Sequence, residues 1–240
     1  MTTPGELPFE IKLLIDPAQG KKVRGALGFE REQRRARVIY FLDTPGLELL
    51  ERGLILRLRS TENRSGKMVG TTTVKLRPRT PDTVPDSWRE ITGFKAEIDR
   101  AGTREIPSIA LTNQRAQPLI KLALDDDDVN FDALYSAIQH RFLLELQGFV
   151  DFDRVRPLGP IDGAVWKGVV AELGGEVVLE RWLVNGVRFL EVSMKVPGAM
   201  ADATSKRLEA WLKKEGIDLD PEQRPKTRAA LDLLREAPTS

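Results

Sequence analysis

The chain has no cysteine and a single histidine, and these two shortages exclude several kinds of functional site. Without thiols there are no disulfides, thiolate metal sites or cysteine nucleophiles, and this composition suits the cytosol. With His140 alone there is no histidine metal cluster, and a Ser-His-Asp triad would depend on this one residue. The sequence also contains no P-loop motif and no G-x-G-x-x-G after a strand, so these modes of nucleotide binding are not predicted.

The chain also lacks an excess of charge of one sign and a long apolar run. Among 240 residues, 37 Lys and Arg stand against 36 Asp and Glu, so composition predicts neither a nucleic-acid partner nor a membrane-surface partner. No stretch approaches the roughly 20 apolar residues that cross a bilayer. The start, M-T-T-P-G-E-L-P, has no secretory-signal pattern. We therefore expect a soluble, cytoplasmic protein.

The sequence does contain two pairs of basic residues at strand spacing. Arg57 and Arg59 alternate with leucines in G-L-I-L-R-L-R, and Lys75 and Arg77 alternate with apolar residues in T-V-K-L-R-P. Because successive side chains of a strand point to opposite faces, each pair shares one face. Cations on two nearby strands can form an anion-binding surface. The alternative is the solvated face of an antiparallel sheet.

The pattern of apolar residues predicts an α+β chain dominated by strands and forming one domain over 1–240. Strands are predicted at 9–15, 37–42, 54–60, 72–77, 87–98, 142–155, 176–184 and 187–196. Asn185-Gly186 gives the strongest hairpin signal. Helices are predicted at 17–27, 47–52, 131–138, 202–215 and 225–236, with a partly helical stretch at 106–124. The acidic run Asp125–Asp128 is predicted to be a solvated loop rather than a metal site.

Charged residues recur at alternate positions on most of the predicted strands. They are Glu10, Lys12, Arg57, Arg59, Lys75, Arg77, Glu90, Arg154, Arg156, Glu191 and Lys195. This alternation fits either the exposed face of an open sheet or the polar lumen of a closed barrel with helices outside. In a lumen, converging Arg and Lys would suit a polyanion, and converging carboxylates would suit Mg²⁺ or Mn²⁺.

These residues resemble a known family. The run Y-F-L-D-T-P-G-L-E-L-L-E-R-G-L-I-L-R-L-R, followed by T-V-K-L-R-P, W-R-E and F-L-E-V-S-M-K-V, is similar to the CYTH superfamily, the triphosphate tunnel metalloenzymes. The resemblance extends from Phe9 to about Val196. It implies an eight-stranded antiparallel β-barrel, or tunnel, at 9–196, with helices packed outside and a helical C-terminal tail at 199–240. Activities in the family include inorganic triphosphatase, thiamine triphosphatase and adenylyl cyclase.

The resemblance also implies roles for individual residues. Triphosphate binding falls to Lys12, Arg57, Arg59, Lys75, Arg77, Arg154, Arg156 and Lys195. Glu10, Glu90 and Glu191 are expected to bind Mg²⁺ or Mn²⁺ together with the triphosphate. The catalytic residues are expected to be Glu10, Lys12 and Glu191, acting in water attack on the terminal phosphoryl group.

The sequence departs from the family pattern at three positions where the family carries acids. Pro8, Thr92 and Ser193 stand there instead, so the metal-binding side is depleted and the phosphate-binding cations are retained. Two functions therefore stay open. One is a metal-dependent triphosphatase; the other is a weakly active or inactive protein that binds a triphosphate, a polyphosphate or a nucleotide. An adenylyl cyclase is a further alternative.

Overall fold

The computed structural model describes residues 7–125 and 130–236, which contain nine strands and six α-helices. The strands are β1 (Pro8–Ile15), β2 (Arg35–Asp43), β3 (Leu54–Glu62), β4 (Met68–Leu76), β5 (Phe94–Ala101), β6 (Arg104–Arg115), β7 (Arg156–Val170), β8 (Gly175–Val184) and β9 (Val187–Pro197). The helices are α1 (Gly20–Ala26), α2 (Glu48–Glu51), α3 (Gln117–Asp125), α4 (Ala137–Leu146), α5 (Ala201–Lys214) and α6 (Lys226–Arg235). Within the described ranges, every helix is too short or too polar to span a membrane.

The strands hydrogen-bond in the order β1-β5-β6-β4-β3-β2-β7-β8-β9 and close into a barrel. β1 pairs with β9 in antiparallel fashion and with β5 in parallel. The predicted barrel and α+β class are confirmed, whereas the prediction of eight strands, all antiparallel, is wrong. The strands that were missed are β6 and β7. Prolines and glycines interrupt the apolar pattern of β7, and β6 lies in the stretch that was predicted to be partly helical.

The strand predicted at 142–155 is wrong, because the chain forms α4 at the start of this stretch. Ser136 caps the helix by accepting a hydrogen bond from the backbone N–H of Gln139, and the Gln139 side chain returns to the Ser136 backbone. Gln139 is fully buried and donates to the backbone carbonyls of Thr72 and Leu111. The capping pair therefore begins a helix and also fixes it to β4 and β6. The acidic run lies mostly outside the described residues, and only Asp125 is described, at the end of α3.

The strand predicted at 87–98 begins later than expected, at Phe94. Pro81 and Pro85 accompany two short 3₁₀ helices ahead of it, and Trp88 ends the second one. The Trp88 ring is buried against Phe142, and its indole N–H donates to Glu145 at 2.9 Å. Burial of this large ring favours the 3₁₀ conformation at Trp88 over an extended one, and β5 begins only after this segment, at Phe94.

The described residues fall into two compact units, and each has its own core. Unit 1 comprises 7–36, Glu97–Ile106 and Asp162–Ala230. In its core, Ile11 of β1, Leu179 of β8 and Val192 of β9 pack with Val23 of α1 and Leu208 of α5. The alternate apolar residues of the strands thus face the helices, as expected for amphipathic strands.

Unit 2 comprises 37–96, 107–161 and 231–236 within the described part. The leucines of β3, Leu54, Leu56 and Leu58, are buried with Ile120 of α3 and Phe142 of α4. The apolar face predicted for β3 therefore packs under helices, and Arg57 and Arg59 lie on its other face.

Asp43, in the D-T-P segment of the sequence, is a buried cap for the turn that leads into α2. Its carboxylate accepts hydrogen bonds from the backbone N–H groups of Thr44 at 2.7 Å, Leu49 at 2.9 Å and Leu50 at 2.9 Å. Burial raises the pKa of the Asp43 carboxyl above its ordinary value, although these N–H donors act in the opposite direction. The most specific segment of the sequence thus has a structural role.

We expect Asp43→Ala to lower the free energy of unfolding by about 2–4 kcal/mol, because three backbone N–H groups lose their acceptor. The pKa of Asp43 is higher in the folded than in the unfolded chain, so folding favours the neutral carboxyl. The contribution of Asp43 to the free energy of unfolding is therefore largest at low pH and declines as pH rises through the folded pKa. The stability gap between wild type and variant should therefore be wider at pH 4 than at pH 7. Urea denaturation measures it, with the exposed Asp82→Ala as control; equal stability of both variants would contradict the capping role.

Candidate functional site

In unit 1, β1 carries charged residues on the face opposite its core. Ile11 is buried in the core, so Glu10 and Lys12 lie on the other face of the strand. Glu10 stands directly opposite Lys195 of β9 on one side and opposite Asp99 of β5 on the other. Since opposite residues of paired strands point to the same side of a sheet, the register brings these charges together.

Two lysines and three carboxylates form a connected network here, which we call the acid–lysine cluster. The Nζ of Lys12 lies 2.5 Å from Asp99 Oδ1 and 3.1 Å from Glu10 Oε2. The Nζ of Lys195 lies 2.6 Å from Glu97 Oε2 and 3.8 Å from Glu10 Oε2. Glu10 thereby links the two lysines. Because Glu97 and Asp99 are buried, these interactions are less screened than those of surface ion pairs.

Both lysines of the cluster hold their protons firmly. Burial is the largest single effect on Lys12 and lowers its pKa, but the nearby carboxylates, Glu10 first among them, together raise that pKa above its ordinary value. The same balance raises the pKa of Lys195, where Glu10 and Glu97 outweigh burial. Since the pKa of each lysine is raised in the folded chain, the stability that its charge contributes is fully present at neutral pH. That stability is lost only as pH rises through the folded pKa.

The carboxylates of the acid–lysine cluster lie close enough to share one cation. One oxygen from each of Glu10, Glu97 and Asp99 lies within 4.8 Å of the others. Carboxylate oxygens are the ligands that Mg²⁺ and Mn²⁺ prefer, so this donor set fits such an ion.

A second group of charges on β8 and β9 involves Lys226. Glu180 and Glu191 stand directly opposite each other. The Nζ of Lys226 lies 2.7 Å from Glu180 Oε2 and 2.9 Å from Glu191 Oε1. Lys226 is only 6% exposed, and its Nζ lies 4.3 Å from the centroid of the Trp182 ring. One ammonium group therefore neutralises part of the repulsion between two carboxylates.

Within these two groups of charges, carboxylates outnumber ammonium groups. The carboxylates of Glu10, Glu97, Asp99, Glu180 and Glu191 outnumber the ammonium groups of Lys12, Lys195 and Lys226 by two. Glu191 also contributes to the raised pKa of Lys12, so the two groups of charges act on each other. A cation bound by these carboxylates would therefore favour the approach of a polyanion.

In unit 2, the basic residues of β3 and β4 share one face, as the alternation predicts. The register places Thr73 opposite Arg57, and Lys75 lies on the same parity of β4 as Thr73. The Nη2 of Arg57 donates to Thr73 Oγ1 at 3.5 Å. Arg59 is half-buried on the same face, and the half-buried Arg77 directly follows β4. These side chains form a basic, partly enclosed surface of unit 2.

Two solved structures match the fold over nearly the whole chain. A Hippeastrum protein assigned as an adenylyl cyclase, for which a dominant triphosphatase activity is described, is 16% identical; the match covers 92% of this chain and 93% of that one, with a TM-score of 0.66. An assigned adenylate cyclase from Bacillus halodurans is 15% identical, with 93% and 97% covered and a TM-score of 0.63. The chain therefore shares the fold of these two structures. No protein-family model and no curated protein matches the sequence.

Two predicted residues, Glu90 and Arg154, lie outside the strands of this fold, and a third, Arg156, is the first residue of β7. Glu90 is exposed on the turn before β5. Arg154 lies on a short 3₁₀ helix, and its Nη2 is 2.9 Å from Glu48 Oε1 on the surface. Arg156 is exposed and donates to two backbone carbonyls of its own turn. The strand predicted to carry Arg154 is wrong, and the strand predicted to carry Glu90 begins only at Phe94; the roles of these residues in metal or phosphate binding stay predictions.

Glu97 and Asp99 were missed in the sequence because the start of β5 was placed too early. Since β5 begins at Phe94, Thr92 lies ahead of it, and the acids of the strand are those of the E-I-D segment. Their alternation around an apolar residue was the available signal. Lys226 was missed for another reason: its contacts with Glu180 and Glu191 cross 46 and 35 residues of chain, and no local pattern indicates them.

Proposed function

We propose that the protein hydrolyses the terminal phosphoanhydride bond of a triphosphate with the help of Mg²⁺ or Mn²⁺. The observation that carries the proposal is the acid–lysine cluster, in which three carboxylates able to share a cation contact two lysines able to bind phosphate. The CYTH fold and the triphosphatase activity described for the Hippeastrum protein support this reading.

The residues of the cluster divide into two roles. Glu10, Glu97 and Asp99 would hold the metal ion, which when bound stabilises the negative charge that develops on the phosphoryl group. Once their carboxylates are neutralised, Lys12 and Lys195 would be free to bind phosphate oxygens instead.

In the reaction, a water oxygen bonds to the terminal phosphorus and the bridging P–O bond breaks. The released phosphate and the shortened chain carry the charge that the cations stabilise. Arg57, Arg59, Lys75 and Arg77 are proposed as further phosphate ligands.

The alternative of a weakly active or inactive binding protein rested on the depletion of acids at Pro8, Thr92 and Ser193. Glu97 and Asp99 supply carboxylates that this reasoning did not count. The excess of carboxylates over lysines in the two groups of charges also favours binding of a polyanion together with a metal. Hydrolysis with a metal is therefore the better supported function.

The first test is release of phosphate from tripolyphosphate, ATP and thiamine triphosphate, with Mg²⁺, Mn²⁺ or EDTA. We expect metal-dependent release from at least one substrate and a loss of about 100-fold or more in Lys12→Ala, since removing one group that stabilises transition-state charge costs this much. The exposed Lys206→Ala should retain full activity. Metal-dependent binding without release would support the binding protein, and cyclic AMP as the product from ATP would support the cyclase.

A further inference from the structure

Unit 1 also contains a basic groove on the helix-packed face of its strands, away from the acid–lysine cluster. It has a volume of about 600 Å³. Six basic residues line it: Lys21, Arg24, Arg31, Arg34, Arg181 and Arg188. Leu179 and Leu190 of the unit 1 core form part of its wall, whereas Glu180 and Glu191 lie on the alternate parity of the same strands.

Three segments bring these cations together. Lys21 and Arg24 belong to α1, which follows the turn capped by Asp16. Arg31 and Arg34 begin and follow a short 3₁₀ helix. Arg181 and Arg188 flank the β8–β9 hairpin, and each lies opposite a leucine of the other strand.

The groove is a local segregation of positive charge in a chain that is nearly neutral overall. Its lining contains no carboxylate. Within 7–125 and 130–236, none of the six basic side chains makes an ion pair or a side-chain hydrogen bond, although most other cations of unit 1 are paired. Like charges gathered without counter-ions repel each other, so an anion in the groove would stabilise the fold.

The lining also indicates the chemistry of that anion. Five of the six cations are arginines, whose planar guanidinium groups donate paired hydrogen bonds to phosphate. Trp166 lines the groove but is 6% exposed, so it offers no open ring on which a nucleobase could stack. Its buried indole N–H has no acceptor among the described residues. A groove of this volume suits a small molecule.

We infer that this groove binds a small molecule that carries several phosphate groups. An inositol polyphosphate and a short linear polyphosphate share the required chemistry. The site differs from the one proposed for hydrolysis: its cations lie on the helix-packed face, and no carboxylate lines it to hold a metal.

The test titrates the protein with inositol hexakisphosphate and with a short linear polyphosphate in 0.15 M salt and EDTA, followed by calorimetry. We expect binding of at least one of them, weakened about tenfold or more in Arg181→Ala/Arg188→Ala, because two charge-assisted phosphate contacts are lost. Arg104→Ala/Arg207→Ala removes two exposed arginines of unit 1 outside the groove and should change the affinity less than threefold. Comparing the affinities for the two ligands shows whether the groove prefers phosphates arranged around a ring or along a chain.

Each other outcome would overturn the inference. No binding of either ligand at millimolar concentration, or equal weakening in both double variants, would leave only non-specific attraction. Tighter binding of a single-stranded oligonucleotide through Arg181 and Arg188 would make the groove a nucleic-acid surface. The titration needs no hydrolysis, so it stands if the proposed triphosphatase activity fails; conversely, Arg181→Ala/Arg188→Ala should leave any tripolyphosphate hydrolysis within twofold of wild type.

Discussion

Lys226→Met should lower the melting temperature by roughly 6–20 °C. The variant leaves Glu180 and Glu191 opposite each other on paired strands without the ammonium group that contacts both. Removing one partner of a buried ion pair costs about 3–5 kcal/mol, since the remaining buried charge loses a compensating contact. In a chain of this length each kcal/mol corresponds to roughly 2–4 °C. Differential scanning calorimetry at neutral pH gives the comparison.

Two further variants separate charge from packing. Lys226→Met combined with Glu180→Gln and Glu191→Gln should recover most of the lost stability, because the repelling carboxylates are gone. Lys213→Met removes an exposed lysine of α5 and should melt within about 2 °C of wild type. A Lys226→Met protein as stable as wild type would contradict the stabilising role of Lys226 between these carboxylates.

The second large effect is expected from the acids of β5. Glu97→Gln/Asp99→Asn removes two of the three carboxylates that can share a cation, and we expect a loss of about 10³-fold in the rate of metal-dependent hydrolysis. Binding of tripolyphosphate in EDTA should strengthen, because two carboxylates that repel phosphate oxygens become neutral amides. Opposite changes in rate and in metal-free affinity would distinguish metal ligands from phosphate ligands.

Glu90→Gln provides the matched control for this experiment. Glu90 is exposed on a turn and lies outside the group of three carboxylates, so the variant should retain wild-type hydrolysis and binding. If Glu90→Gln abolished hydrolysis and Glu97→Gln/Asp99→Asn did not, the acid–lysine cluster could not be the metal site, and the residue first predicted from the sequence would be the ligand.

Local patterns predicted the elements whose signals lie within a few residues. Alternation predicted β1 and β3 with their charged faces, and Asn185-Gly186 predicted the β8–β9 hairpin. At the candidate site, Glu10, Lys12 and Lys195 were found in this way, since each alternates with apolar neighbours on its strand.

The remaining features depend on partners far away in the chain. The start of β5 is set by burial of Trp88 against Phe142, which a window of neighbouring residues does not contain. The parallel pairing of β1 with β5 brings Asp99 to Lys12, at 2.5 Å between Asp99 Oδ1 and Lys12 Nζ. A pattern of alternating residues shows which face a side chain takes, but not which strand lies beside it.

The position of β1 between β5 and β9 has a consequence for the order in which the molecule is made. Lys12 and Asp99 are 87 residues apart, and Lys195 and Glu97 are 98 apart. During synthesis, β1 leaves the ribosome long before either neighbour exists, and the edge that pairs with β9 stays without its partner until β9 has followed. Contacts of such long range form slowly, because the intervening chain must first be ordered. The charged residues on β1 protect it in this interval, since Glu10 and Lys12 discourage pairing with other nascent chains.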